Sequence, residues 1–130
     1  MTEVKNIHTD IHGHFILKHR TPDTPETEVD KAFTILGRTN ESTIYAGSFS
    51  GKSAWERHPN GDEFIQVLNG QTIITIVVEV QQYHFKMESG SVTIVPRGCW
   101  HQFNSENGVT LLTATPEPTE HFTGQTPPEL

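Results

Sequence analysis

The stretch that decides the reading is Gly51-Lys52-Ser53-Ala54-Trp55-Glu56-Arg57-His58-Pro59-Asn60-Gly61-Asp62-Glu63-Phe64-Ile65-Gln66-Val67-Leu68-Asn69-Gly70. Glu56 and His58 stand two apart, which on a strand puts both side chains on one face. Pro59 to Asp62 spells a turn, and Glu63 opens the returning strand, across from His58. A helix cannot bring these groups together, because residues two and five apart lie on different helical faces and Pro59 and Gly61 would break it. Further along, Pro96-Arg97-Gly98 interrupts the chain and His101 starts another strand. Glu56, His58, Glu63 and His101 together offer imidazole nitrogen and carboxylate oxygen, a mixed set that suits one divalent transition metal (Fe, Mn, Ni, Zn or Cu) rather than a soft thiolate site. Taken singly, each is more often a solvated strand-end charge or an incidental histidine. Four at these spacings favour a site.

Outward from this stretch the chain alternates strand and turn. Ala32 to Leu36 and Thr43 to Phe49 are apolar and β-branched. Glu63 to Leu68 runs into Asn69-Gly70, a two-residue hairpin signal, and Gln71 to Val80 reads as the partner strand. Tyr83 to Met87, Ser91 to Val95, His101 to Asn104 and Val109 to Ala114 follow, with turns at Glu88-Ser89-Gly90 and Glu106-Asn107-Gly108. Eight or nine short strands without a 3.6-residue period predict an all-β sandwich or barrel. Residues 1–30 read as an arm and loop, with a possible strand over Ile11 to Leu17. Residues 31–115 form the barrel, and residues 116–130 an extended tail.

With 130 residues the chain has room for one domain, and its low apolar fraction (33%) with 10 Gly and 8 Pro fits short strands and many turns. A net charge of -7 without a basic run argues against nucleic acid or an anionic membrane as partner. Met1 to Asp10 has no apolar leader segment, and Ile73 to Val80 is too short to span a bilayer. A cytoplasmic location is the default expectation. Cys99 is the single cysteine, which excludes an internal disulfide and a cysteine-type zinc site.

At this point the sequence resembles the cupin superfamily. Its first signature (a Gly, a His-x-His pair, a Glu, a later Gly) matches Gly51 to Gly70, with Glu56 at the place of the first His. Its second (Gly, five residues, Pro-x-Gly, two residues, His, then usually Asn) matches Gly90 to His101, with Ser105 where Asn is common and Asn104 one place early. The resemblance implies a single jelly-roll-like barrel with a metal in its mouth, held by His58, Glu63 and His101. Glu56 is the departure: either a fourth, harder ligand or a base beside the metal.

Other residues carry weaker signals. His12-Gly13-His14 has same-face spacing but reads as a solvated arm, and an arm of this kind fits the homodimer that the resemblance implies by adding a strand to a second subunit. His84 reads as a core or rim residue, Cys99 as a small buried hydrophobe, and Trp55 and Trp100 as packing residues facing away from the metal. Arg57 and Arg97 read as surface or gate residues, Arg97 with an option on an anionic substrate. Ile65 and Val67, in phase with Glu63, are expected to form an apolar pocket wall. The leading functional expectation is a small metalloenzyme of dioxygenase, isomerase or cyclase type acting on a low-molecular-weight organic substrate. The alternative is a metal-loaded binding or sensing module without catalysis, and the fold alone does not choose.

Overall fold

The computed structural model describes residues 3–10 and 15–128. His12 and His14, and the first part of the strand expected over Ile11 to Leu17, lie outside them. A short helix α1 (Ile7–Asp10) precedes β1 (Leu17–Arg20) and α2 (Glu26–Ala32). The strands β2 (Phe33–Arg38), β3 (Ser42–Lys52), β4 (Trp55–Arg57), β5 (Glu63–Val78), β6 (Gln81–Glu88), β7 (Val92–Val95), β8 (His101–Pro116) and β9 (Glu120–Phe122) complete the chain. Together with β1 they form one nine-stranded sheet in which β8 pairs with β3, β4 and β5. The all-β class is as expected, and the sheet curls into a half-barrel.

The curl follows from a distance argument. Thr115, near the end of β8, donates a hydrogen bond to Glu63, whose other carboxylate oxygen lies 3.1 Å from His101 at the start of the same strand. A straight strand would separate those two β8 positions by about 45 Å. Strand β8 therefore doubles over, and so does its neighbour β5. The bend lies where Gly70 meets Gly108: both have positive φ, and a Cβ on Gly70 would sit 2.2 Å from the Gly108 carbonyl oxygen. Register shifts on both sides of Gly70 mark it as a bulge. Ser105, fully buried, stitches the bend by donating to the Gln71 carbonyl (2.6 Å) and accepting from the Gly108 amide (3.1 Å).

Two expected turns are thus bends inside long strands. Asn69-Gly70 is not a hairpin: β5 continues through it to Val78, and Glu106-Asn107-Gly108 likewise lies within β8. Asn-Gly favours any left-handed backbone site, and a bulge needs one as much as a hairpin does. The hairpin itself falls at Glu79-Val80, both with positive φ (50° and 62°), where no Gly announced it. The segment expected as a loop before residue 31 contains α2, whose Val29 and Ala32 bury against the barrel while Glu26 and Glu28 favour the positive helix start. After Pro116 the chain forms β9, which pairs with β4.

Phe49, Ile65, Val67, Ile74 and Leu111 are fully buried in the core, and Trp55, Val77 and Trp100 form a second cluster on the outer face. No helix among the described residues is long and apolar enough to cross a membrane.

Candidate metal centre

Three of the four expected ligands come together. His58 follows β4, Glu63 opens β5 and His101 opens β8, and their donor atoms all lie within 4.8 Å of one another. Glu63 Oε1 stands 3.2 Å from His58 Nε2 and 3.1 Å from His101 Nε2. Yet His58 Nε2 and Glu63 Oε1, both buried, have no partner with hydrogen-bond geometry among the described residues. Buried polar atoms left this way are costly. Close approach without hydrogen-bond alignment is what donors aimed at one shared point show. Two donors held about 2.1 Å from one ion at right angles lie about 3.0 Å apart, close to both separations. The residues fit a divalent metal, to which they would offer two imidazole nitrogens and one carboxylate oxygen.

Each donor is braced through its other heteroatom, as metal-ligating side chains require. His58 Nδ1 pairs with Thr119 Oγ1 at 3.0 Å, and His101 Nδ1 faces the Cys99 carbonyl at 3.4 Å. A carbonyl only accepts, so that contact puts the proton on Nδ1 and leaves Nε2 of the neutral ring with a lone pair. Glu63 Oε2 accepts from Thr115 Oγ1 at 2.6 Å, and Thr115 in turn pairs with Thr113 at 2.9 Å. The turn of the second signature holds the first: the Gly98 amide donates to the His58 carbonyl, and Arg97 donates from its amide to Asp62 and from Nε to the Pro59 carbonyl. Arg97 is thus a brace for the ligand loop and does not line the cavity.

The electrostatics agree with this geometry. Burial pushes the Glu63 carboxyl up, but the facing His101 and His58 rings outweigh it and hold the group at about 2. Burial lowers His101, and Glu63 more than offsets that, so its ring ends above the ordinary imidazole value. The carboxylate is ionised and ready for a cation. A metal has to compete with a proton only on the imidazole side.

Glu56 shares a cavity with His58 and Glu63, but its carboxylate is not among the three converging donors. Its Oε2 lies 3.3 Å from His121 Nε2, on β9, and the same nitrogen lies 3.3 Å from Glu26 Oε2, on α2. Glu56 pairs across the sheet with both His101 and His121, which places the Glu26–His121–Glu56 bridge beside the three donors. The cavity, about 390 Å3, is also lined by Arg20, Phe33, Phe49 and Phe103.

That lining corrects the expected wall. Ile65 and Val67 do point into the barrel, but they are fully buried in its packed interior, and the cavity opens instead toward β3, α2 and the segment after Pro116. Alternation fixes a face, not a depth. His84 is exposed, not a core residue, and its Nδ1 pairs with Thr75 Oγ1 at 2.8 Å. Tyr83 and Phe85 beside it are exposed as well, because β6 pairs on one side only. Cys99 packs half-buried against the core, its thiol pushed up by burial and then by Asp62. Arg57 forms an ion pair with Glu120 at 2.6 Å and stacks on Trp100. Arg20, Glu26, Thr119 and His121 were not singled out from the sequence. Only Thr113 and Thr115 carried a signal, their even spacing on an inward-facing strand.

The cupin domain family matches residues 42–114, from β3 almost to the end of β8. The chain belongs to the cupin family. No curated protein matches it. Among solved structures it is similar to protein NMB1881 of Neisseria meningitidis (TM-score 0.62, 16% identity, covering 88% of this chain and all of that one). It is also similar to hydroquinone 1,2-dioxygenase of Sphingomonas sp. TTNP3 with 4-hydroxybenzoate bound (TM-score 0.56, 17% identity, 66% of this chain). The hydroxypropylphosphonic acid epoxidase of S. wedmorenis is a third (TM-score 0.56, 15% identity, 64% of this chain). The chain spans 65% of the length of the dioxygenase chain and 49% of that of the epoxidase. At these identities the likeness is one of fold.

Proposed function

We propose that this protein binds one divalent transition metal through His58, Glu63 and His101 and presents it to a small organic substrate in the adjoining cavity, as a metalloenzyme. The observation that carries the reading is the pair of buried, unpartnered donor atoms, His58 Nε2 and Glu63 Oε1, converging with His101. A metal bound there would act as a Lewis acid or as a centre for dioxygen chemistry. The protein's own residues hold the donors, fix the neutral His101 ring in the tautomer whose Nε2 carries the lone pair, and enclose the substrate between aromatic walls. Glu56 stands beside the metal rather than on it, within reach of a bound molecule and steadied by His121. A cupin barrel that takes an aromatic acid in the dioxygenase and another that serves an epoxidase support a small organic substrate for this cavity.

Elemental analysis of untagged, chelator-free protein tests this directly. Wild type is expected to carry near-stoichiometric metal, His58→Ala none, and Glu56→Ala the wild-type amount. Wild-type protein that neither contains metal nor takes it up on reconstitution would sink the reading.

A further inference from the structure

One cation in the cavity is not used by the metal reading. Arg20, at the end of β1, is only 5% exposed yet lines the same cavity as His58 and Glu63. Its guanidinium lies 4.8 Å from the centroid of the Phe49 ring, a cation–π contact, and its buried Nε has no hydrogen-bond partner among the described residues. The two carboxylates whose charge it feels, Glu56 and Glu26, are both turned to His121. A buried guanidinium with an unused donor is costly, and such a group is kept where something pairs with it.

The backbone shows how Arg20 is brought inward. Leu17 and Arg20 are both buried although strict alternation would send residues three apart to opposite faces. The phase change occurs at His19, a non-Gly residue at φ 58°, whose amide donates to Ser50 Oγ at 3.0 Å. Three steps along β1, from Leu17 to Arg20, match two along β3, from Phe49 to Gly51. The Arg20 backbone then presses on Gly51 so closely that a Cβ there would lie 2.2 Å from the Arg20 carbonyl oxygen. A bulge, a left-handed non-Gly residue and a close glycine thus combine to turn one arginine inward.

We propose that Arg20 is the second anchor of this site and binds the carboxylate of a small organic monoacid whose other end reaches the His58–Glu63–His101 donors. The planar guanidinium suits a carboxylate, to which it donates two parallel hydrogen bonds. A single negative charge fits better than a dianion, because Glu26, Asp30 and Glu56 line the same cavity. Phe33, Phe49 and Phe103 supply an apolar wall for the body of the acid. This rests on the metal reading for the far end of the ligand, but not for the Arg20 contact.

The test titrates sodium benzoate against benzyl alcohol, and sodium lactate against propane-1,2-diol, into the full chain by calorimetry. Wild type, Arg20→Met and Arg20→Lys are compared, each metal-loaded and chelator-stripped. Wild type is expected to bind at least one acid tenfold or more tighter than its neutral partner, in both states. Arg20→Met should lose that preference, and Arg20→Lys should recover part of it. Wild-type protein without preference for either acid, or Arg20→Met with undiminished acid affinity, would overturn the proposal. Circular dichroism checks folding of Arg20→Met. Were it unfolded, the wild-type preference and its reduction in Arg20→Lys would decide. The stripped arm keeps the two readings apart: Arg20-dependent binding there stands even if no metal is ever found, and metal loss in His58→Ala stands even if no acid binds.

Discussion

The two sides of the cavity are built from different material. On one side are His58, just after β4, and Glu63, at the start of β5, with His101 at the start of β8 close to both, each braced by a threonine or a backbone carbonyl. On the other, Arg20, Glu26 and His121 come from β1, α2 and β9, all outside the span matched by the cupin family. The donors of the first side lie within the matched span, with their Thr115 and Thr119 braces just beyond it, whereas the second side lies wholly outside it. Under the proposed function the barrel supplies the metal donors, and the segments flanking it shape what is held against them.

The sharpest way to break this comparison is to remove a donor on the barrel side. His58→Ala should lower metal affinity by well over a hundredfold, measured by competition with a chromophoric chelator. Thr115→Val should cost less, about 10–100-fold, since it frees the Glu63 carboxylate without deleting it. A loss as large as that of His58→Ala would show that the brace matters as much as the ligand.

Acidity probes the same side from another direction. Because His101 titrates above its ordinary value of 6.5, metal affinity should be flat at alkaline pH and fall about tenfold per unit once that ring holds a proton. In metal-free protein, the raised imidazole contributes stability that is full below 6.5 and lost as pH rises through its folded pKa. Glu63, lowered from 4.5 to about 2, contributes stability that is full above 4.5 and lost as pH falls toward 2. The stripped protein should therefore melt highest between about 4.5 and 6.5, and metal should extend that plateau to the alkaline side. Thermal melts of stripped and loaded protein across that range check this, and identical profiles would count against the donors' coupling.

The smallest effects belong to Glu56, on β4, and its partner His121 on the appended β9. Glu56→Ala and His121→Ala should leave metal affinity within about threefold of wild type. His121→Ala should lower stability by about 1 kcal/mol in urea, since its ion pairs are partly solvent-screened. Metal loss in Glu56→Ala would restore it as a fourth ligand.

The same division governs what could be read in the sequence. Glu56, His58 and Glu63 are legible because alternation and one proline-bearing turn fix their common face, and His101 because Pro96 and Gly98 announce its strand. Arg20 is illegible because its inward aim depends on the left-handed backbone at His19, which no residue preference predicts. His121 lies on a strand of three residues, too short to show a period. Thr113 and Thr115 were within reach, but reading Gly108 as a turn cut β8 in two and hid their alignment with Glu63. Asn69-Gly70 failed for the same reason: the local signal for a left-handed residue is real, while bend or hairpin is decided by β8, some forty residues away.

The doubled-over β8 has a consequence for how the protein is made. Strands β3 and β5 leave the ribosome well before the strand that joins them, so their edges wait unpaired until residues 101–116 emerge. The sheet is completed from its middle, late, through pairings as distant as Ser42 with Pro116. Such long-range closure is slow compared with local folding. Until β8 docks, His101 and the Thr115 brace are both missing, so the three donors converge only once β8 is in place.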